Sequence, residues 1–157
     1  MSRTSKDGSP RSQRVAPERG ITLQSTAIGC IVAMITIRAF APDDWPPLWS
    51  ILHAVFASGD TYAFAPDSTE AEIHAAWISA PQATFVATSD AGVVIGSYFI
   101  RPNQPGLGSH VCNCGYVVAE NARGHGVAAL LCAHSPAQAR APGYRALQFP
   151  CAASTHA

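Results

Sequence analysis

The apolar pattern of the chain predicts an α/β (α+β) domain: a mixed, mostly antiparallel sheet with helices on both faces. Three observations carry this. Runs at 34–40, 84–88, 93–100 and 110–118 read as strands, the first alternating apolar and polar with period two. Two stretches of helical spacing lie between the first run and the second. After residue 118 the period lengthens to that of a helix, and a last strand-like run follows at 146–149.

Taken in order, residues 1–25 are rich in Ser, Arg, Gly and Pro and lack periodic apolar positions, so they read as disordered. Residues 1–33 are read as a disordered or non-native leader, translation from Met34 being one explanation, and 34–157 as the domain. The apolar run 27–37 has 11 residues, short of the ~20 that span a bilayer. Its basic approach and Ile28-Gly29-Cys30 hint at an export signal, but the preceding polar segment is long and the run flows into a strand.

Within the domain, the first strand runs to Phe40, and Ala41-Pro42-Asp43-Asp44 supplies a turn and an N-cap. Trp45, Leu48, Trp49, Leu52 and Phe56 then fall at helical spacing until Ser58-Gly59-Asp60 ends the helix. Asp67-Ser68-Thr69-Glu70 opens a second helix with Ile73, Trp77 and Ile78 on its apolar side. Ser89-Asp90-Ala91-Gly92 is a hairpin turn, and 102–106 is a wider loop. Val127, Leu130, Leu131 and His134 mark one face of the third helix. Ala146-Leu147-Gln148-Phe149 makes the last strand, and no internal repeat is visible.

Composition limits the function classes. The 157 residues suffice for one domain with a core, and 48% of them are hydrophobic against 13% charged. Residues 1–33 carry five Lys or Arg against two carboxylates, whereas 34–157 carry five arginines against eight carboxylates. An acidic folded part is a poor match for nucleic acid. Five cysteines without regular spacing argue for reduced thiols and a cytoplasmic protein. Cys112-x-Cys114 with His110, Cys132, His134 and Cys151 lacks the paired knuckles of a zinc site, so no metal is expected.

The segment that carries chemistry is 117–131: a strand ends, a short turn follows, and a helix opens within Arg123-Gly124-His125-Gly126-Val127-Ala128. The first amides of a helix lack intrahelical partners and point outward, and the helix dipole adds about half a positive charge there. Glycines at 124 and 126 admit an anion to the backbone, and a diphosphate suits such a cradle. A Walker loop would need Gly-Lys before Ser or Thr, and a dinucleotide fingerprint a third Gly where Ala129 stands. An ordinary turn with tight helix packing is the plainer alternative for both glycines. For His125 the plain reading is a solvent-facing residue beside the phosphates.

That hexapeptide, followed by Leu130-Leu131, resembles the coenzyme A signature (Gln/Arg-x-x-Gly-x-Gly/Ala) of the GCN5-related N-acetyltransferases, the GNAT superfamily. The strand before Pro42-Asp43-Asp44 and Gly143-Tyr144-Arg145-Ala146-Leu147 are similar to the same family, and the resemblance covers roughly 34–155. It implies acetyl transfer from acetyl-CoA to a primary amine of a small molecule or peptide, with no nucleic acid or membrane partner. Oligomeric state is left open, a dimer included. It places the pyrophosphate on the amides of Arg123, Gly124, His125, Gly126, Val127 and Ala128, and the pantetheine arm on the backbone of Val117 and Val118. The Val118 amide would polarise the thioester carbonyl. No catalytic residue is assigned: 110–118 holds no Asp or Glu, which leaves water, His110, Asn113 or Tyr116 for a proton relay. Asp60-Thr61-Tyr62 stands where the family's acceptor-binding residues usually lie, a turn role being the plainer reading.

The sequence departs from the family at three points. Pro136 falls inside the third helix, where an interior proline costs about 3 kcal/mol. Pro142 and Pro150 flank the last strand. The chain ends at Ala157, before the family's last helix and closing strands, with Ser154-Thr155-His156 near where that helix begins. The resemblance therefore carries two readings, a working N-acetyltransferase and an inactive truncated remnant with weak or no coenzyme A binding. A binding module unrelated to acetyl transfer is a third.

Overall fold

The computed structural model describes residues 21–23, 34–59, 62 and 64–149. Its elements run β1 (Ile21–Leu23), β2 (Ile35–Ala39), α1 (Trp45–Ala57), α2 (Glu70–His74), β3 (Ala83–Thr88), β4 (Val94–Pro102), β5 (Val111–Val118), α3 (Val127–Arg140) and β6 (Ala146–Gln148). One sheet holds the strands in the order β1-β2-β3-β4-β5-β6, antiparallel throughout except for the parallel pair β5–β6.

Two apolar clusters flank this sheet, as period-two strands require when both faces are covered. On one face α1, α2 and the turn that follows α2 contribute Leu48, Leu52, Phe56, Ile73 and Trp77 against Val86, Phe99 and Val117. On the other, α3 lays Val127, Leu131 and Ala139 against Ile37, Phe85, Tyr98, Cys112 and Cys114. The mixed fold with helices on both faces is thus the one the apolar pattern implied. Trp45, Trp49 and Leu130 are only partly buried, so the true core stripes are narrower than the helical spacing suggested.

Local chemistry sets each element. Thr69 caps α2 in a reciprocal box, its hydroxyl accepting from the Glu72 amide at 3.3 Å while the Glu72 carboxylate accepts from the Thr69 amide at 2.8 Å. Residues Ala75–Ser79 then loosen into a π-helical turn, with the Ala80 amide donating to Ala75 at 2.8 Å. The turn carries the fully buried Trp77, whose Nε1–H donates to Ser97 Oγ at 3.1 Å. Ser97 in turn donates to the Phe85 carbonyl at 2.8 Å, so this buried polar chain is satisfied. Asp44 does not cap α1 as the sequence suggested. Its carboxylate turns back to the Ala41 amide at 2.8 Å and forms a bidentate pair with Arg38 at 2.6 and 2.7 Å.

One further expectation needs correction. Residues 21–23, read as part of a disordered leader, form a strand paired with β2, Ile21 opposite Ile37 and Leu23 opposite Ile35. Three residues are too short for a period to show, and the partner edge, not local propensity, selects them. The rest of the leader, like Asp60, Thr61 and residues 150–157, lies outside the described residues. Pro136 stands inside the third helix as its sequence position implied, and α3 runs through it. Proline cannot donate to the carbonyl four residues back, that of Cys132. Ser135 replaces the missing donor, its hydroxyl bonding the Cys132 carbonyl at 3.2 Å.

Candidate functional site

The site is built where β5 hands over to α3. A short 3-10 turn (Glu120–Ala122) leads from the strand, with the Ala122 amide on the Ala119 carbonyl at 2.9 Å. Gly124 and Gly126 follow at φ 78° and 79°, the left-handed region that side chains with a Cβ resist. Gly126 is the N-cap of α3, and the first bond across the helix start runs from the Leu130 amide to the Gly126 carbonyl at 3.1 Å. The amides of Val127, Ala128 and Ala129 therefore have no acceptor within the helix. Arg123, Gly124, His125, Gly126 and Ala128 are exposed around them, and Val127 is buried as the anchor. His125 folds its Nδ1 onto the Arg123 carbonyl at 2.9 Å, so its ring is held against the loop's own backbone.

The floor of the site is the open side of β5. Pairing with β6 covers only Val111, Cys112 and Asn113; among the described residues no strand pairs with 114–118 on that side. Which peptides face this gap follows from strand alternation. Val111 accepts from the Asn103 amide at 2.8 Å and Ala119 donates to the Ile95 carbonyl at 2.9 Å, so odd-numbered peptides turn toward β4. His110 accepts from the Arg145 amide at 2.8 Å, and Tyr116 uses its peptide groups away from β4, so even-numbered peptides turn toward the gap.

Val118 therefore presents its backbone to the gap, whereas Val117 spends its own in the β4 ladder opposite Ser97. The Val117 side chain packs in the α1/α2 cluster.

Tyr116, the next such peptide along the strand, is already occupied. The Tyr62 hydroxyl accepts from the Tyr116 amide at 2.7 Å and donates to the Tyr116 carbonyl at 2.8 Å. Tyr62 reaches that point from an aromatic nest of Phe56, Phe64 and Trp77 at centroid distances of 5.3, 6.3 and 5.8 Å. Burial pushes its phenol up to about 12, against the opposing pull of the Tyr116 backbone bond, so it stays protonated at neutral pH. Gly115 makes room: a Cβ there would stand 3.2 Å from the Tyr62 oxygen and 2.5 Å from the Phe99 ring. Sequence reasoning touched Tyr62 only as part of a loop triplet. Its partner lies 54 residues away, and no local signal links the two.

The relay candidates separate widely. Asn113, on the α1/α2 face beside Arg101, has its Oδ1 buried without a partner. His110 is exposed, with Nδ1 on the Leu107 carbonyl at 2.8 Å. The Tyr116 phenol turns to the opposite face, 2.7 Å from Ser135 Oγ, and burial raises its pKa. Cys112 and Cys114 are buried, Cys132 half-buried, and all three are free thiols. Burial raises each of these thiols, which makes them packing groups rather than nucleophiles. Among the described residues no helix is long and apolar enough to cross a membrane.

Comparison with known proteins gives consistent findings. The model of the acetyltransferase (GNAT) family matches residues 45–157. Among solved structures, a GCN5-related N-acetyltransferase from Kribbella flavida is 36% identical at TM-score 0.69, covering 73% of this chain and 70% of that one. An N-acetyltransferase from Staphylococcus aureus Mu50 is 25% identical at TM-score 0.67, over 77% and 75%. A GNAT family acetyltransferase from Brucella melitensis, solved in complex with acetyl-CoA, is 22% identical at TM-score 0.61 over 77% and 78%, a likeness of fold. No curated protein sequence matches the chain. A family match over most of the chain, on a fold whose strand-to-helix junction opens its amides beside the end of β5, places this protein in the GNAT acetyltransferase family.

Proposed function

We propose that the protein transfers acetyl from acetyl-CoA to a primary amine of a small molecule or peptide. The observation that carries this reading is the juxtaposition of the glycine-shaped amide cradle at 124–128 with the open peptide of Val118. A diphosphate on the cradle directs an extended thioester arm along the unpaired side of β5. The acetyl-CoA complexes of structural neighbours support the choice of co-substrate.

Acetyl-CoA supplies an activated carbonyl. The neutral amine attacks it, a C–N bond forms and the C–S bond breaks; the proton leaving nitrogen is matched by one taken up by the departing thiolate. This chain contributes the diphosphate amides of Gly124 to Ala128, the Arg123 charge beside them, and the open Val118 peptide that receives the arm.

Nuclear magnetic resonance titration with coenzyme A, joined to a thiol-release assay over a panel of amines, tests the proposal. The amides of Gly124 and Gly126 should move most, free pyrophosphate should compete, and Gly126→Trp should abolish thiol release. His125→Ala should weaken binding slightly and Arg123→Glu should remove it. Coenzyme A binding with Gly124 and Gly126 unmoved would place the site elsewhere. Binding without turnover of any amine would favour the inactive reading.

A further inference from the structure

We infer that the Tyr62 hydroxyl occupies the seat of the thioester carbonyl, so that loading of the acyl group displaces Tyr62 from the Tyr116 peptide. The inference rests on the proposed acyl-CoA reading of this cleft and adds a residue to it. Only even-numbered peptides of β5 face the gap, and of those in the unpaired stretch beside the cradle, Val118 is nearer and Tyr116 is next, about 7 Å further along the strand. In the pantetheine arm the last amide and the thioester carbonyl are separated by a short ethylene–sulfur link, close to that two-residue repeat. An arm whose amide pairs with Val118 therefore brings its thioester carbonyl to the Tyr116 amide.

That amide already donates to Tyr62 Oη at 2.7 Å. A single N–H cannot serve two acceptors at full strength, so the phenol and the acyl carbonyl compete. The position is built rather than incidental. One hydroxyl closes both the donor and the acceptor of the peptide, Gly115 lacks the Cβ that would crowd it, and Phe56 and Trp77 hold the ring. The consequence is selective. Coenzyme A, which has no acyl carbonyl, leaves Tyr62 in place, whereas acetyl-CoA must break both hydrogen bonds.

Binding of coenzyme A and of acetyl-CoA to the natural chain and to Tyr62→Phe, measured by calorimetry, separates the outcomes. Phenylalanine keeps the ring in its nest and withdraws only the competing hydroxyl. The free state of the variant loses two hydrogen bonds that the acyl-loaded state never had. Acetyl-CoA should therefore bind about tenfold tighter to Tyr62→Phe, with coenzyme A little changed. In the natural chain the Tyr116 amide resonance should move on adding acetyl-CoA and stay near its free position with coenzyme A, a readout that needs no variant. If both nucleotides shift Gly124 and Gly126 but neither shifts Tyr116, and Tyr62→Phe binds acetyl-CoA no tighter, the inference is wrong and the acyl-CoA reading stands. If neither nucleotide moves Gly124 or Gly126, both fall together.

Discussion

Replacing Gly115 by alanine should destabilise the protein through a contact that only the packed sheet creates. A Cβ at this position lies 2.5 Å from Phe99 Cε1, 2.8 Å from Cζ and 3.2 Å from Tyr62 Oη. Phe99 cannot swing away cheaply: it is 5% exposed and stands edge-on to Trp77 at 4.8 Å. Overpacking of this kind costs about 3 kcal/mol when the neighbour is held on all sides. Alanine also narrows the unfolded ensemble and suits a strand better than glycine, which returns about 1 kcal/mol. The net loss is about 2 kcal/mol, a fall in Tm of about 4–8 °C for a domain of this size. Urea unfolding should show a lower midpoint at an unchanged slope, the mark of altered stability rather than altered denatured-state compactness. The double variant Gly115→Ala with Phe99→Leu supplies the control. The smaller side chain vacates the space the new methyl needs, so the alanine should cost less than about 0.5 kcal/mol in that background. If Gly115→Ala is within about 0.5 kcal/mol of the natural protein, or costs as much in the Phe99→Leu background as in the natural one, the steric argument is wrong.

Two other outcomes follow from the α3 face. Ser135→Ala should cost about 1–3 kcal/mol, since it strips the Cys132 carbonyl and the Tyr116 hydroxyl of a shared partner. In a Pro136→Ala background a backbone amide supplies the Cys132 carbonyl again, and the cost of Ser135→Ala measured by denaturant unfolding should shrink by about 1 kcal/mol. His134 governs the acid limb. It is buried with Nδ1 2.7 Å from the Tyr98 hydroxyl, and burial lowers its pKa below the ordinary value. The unfolded chain then binds a proton that the folded chain refuses, so His134's contribution is full above pH ~6.5 and is lost as pH falls below that value. Unfolding free energy measured against pH should lose slope between neutrality and mild acid in His134→Gln.

The sequence by itself determined what depends on neighbours along the chain. Period-two runs and helical stripes named the β2–β5 strands and all three helices, because alternation and a 3.6-residue repeat are local records of which face is buried. The cradle at 123–128 was legible for the same reason: left-handed glycines, a helix start and its unpaired amides lie within six residues. The tertiary structure alone decided what depends on residues far apart. The β1 strand exists only because β2 offers it an edge. The exclusion of Val117 from the gap comes from the register of β4 against β5, since a one-residue shift would have exchanged its role with that of Val118. Pro136 is tolerated because Ser135, which also bonds Tyr116 across the cluster, takes over a carbonyl the helix cannot satisfy. The seat held by Tyr62 needs a loop after α1, a glycine in β5 and a strand that β6 leaves unpaired. A hydrogen bond between residues 62 and 116 leaves no periodic trace, because its specificity lies in the packing that brings the two together.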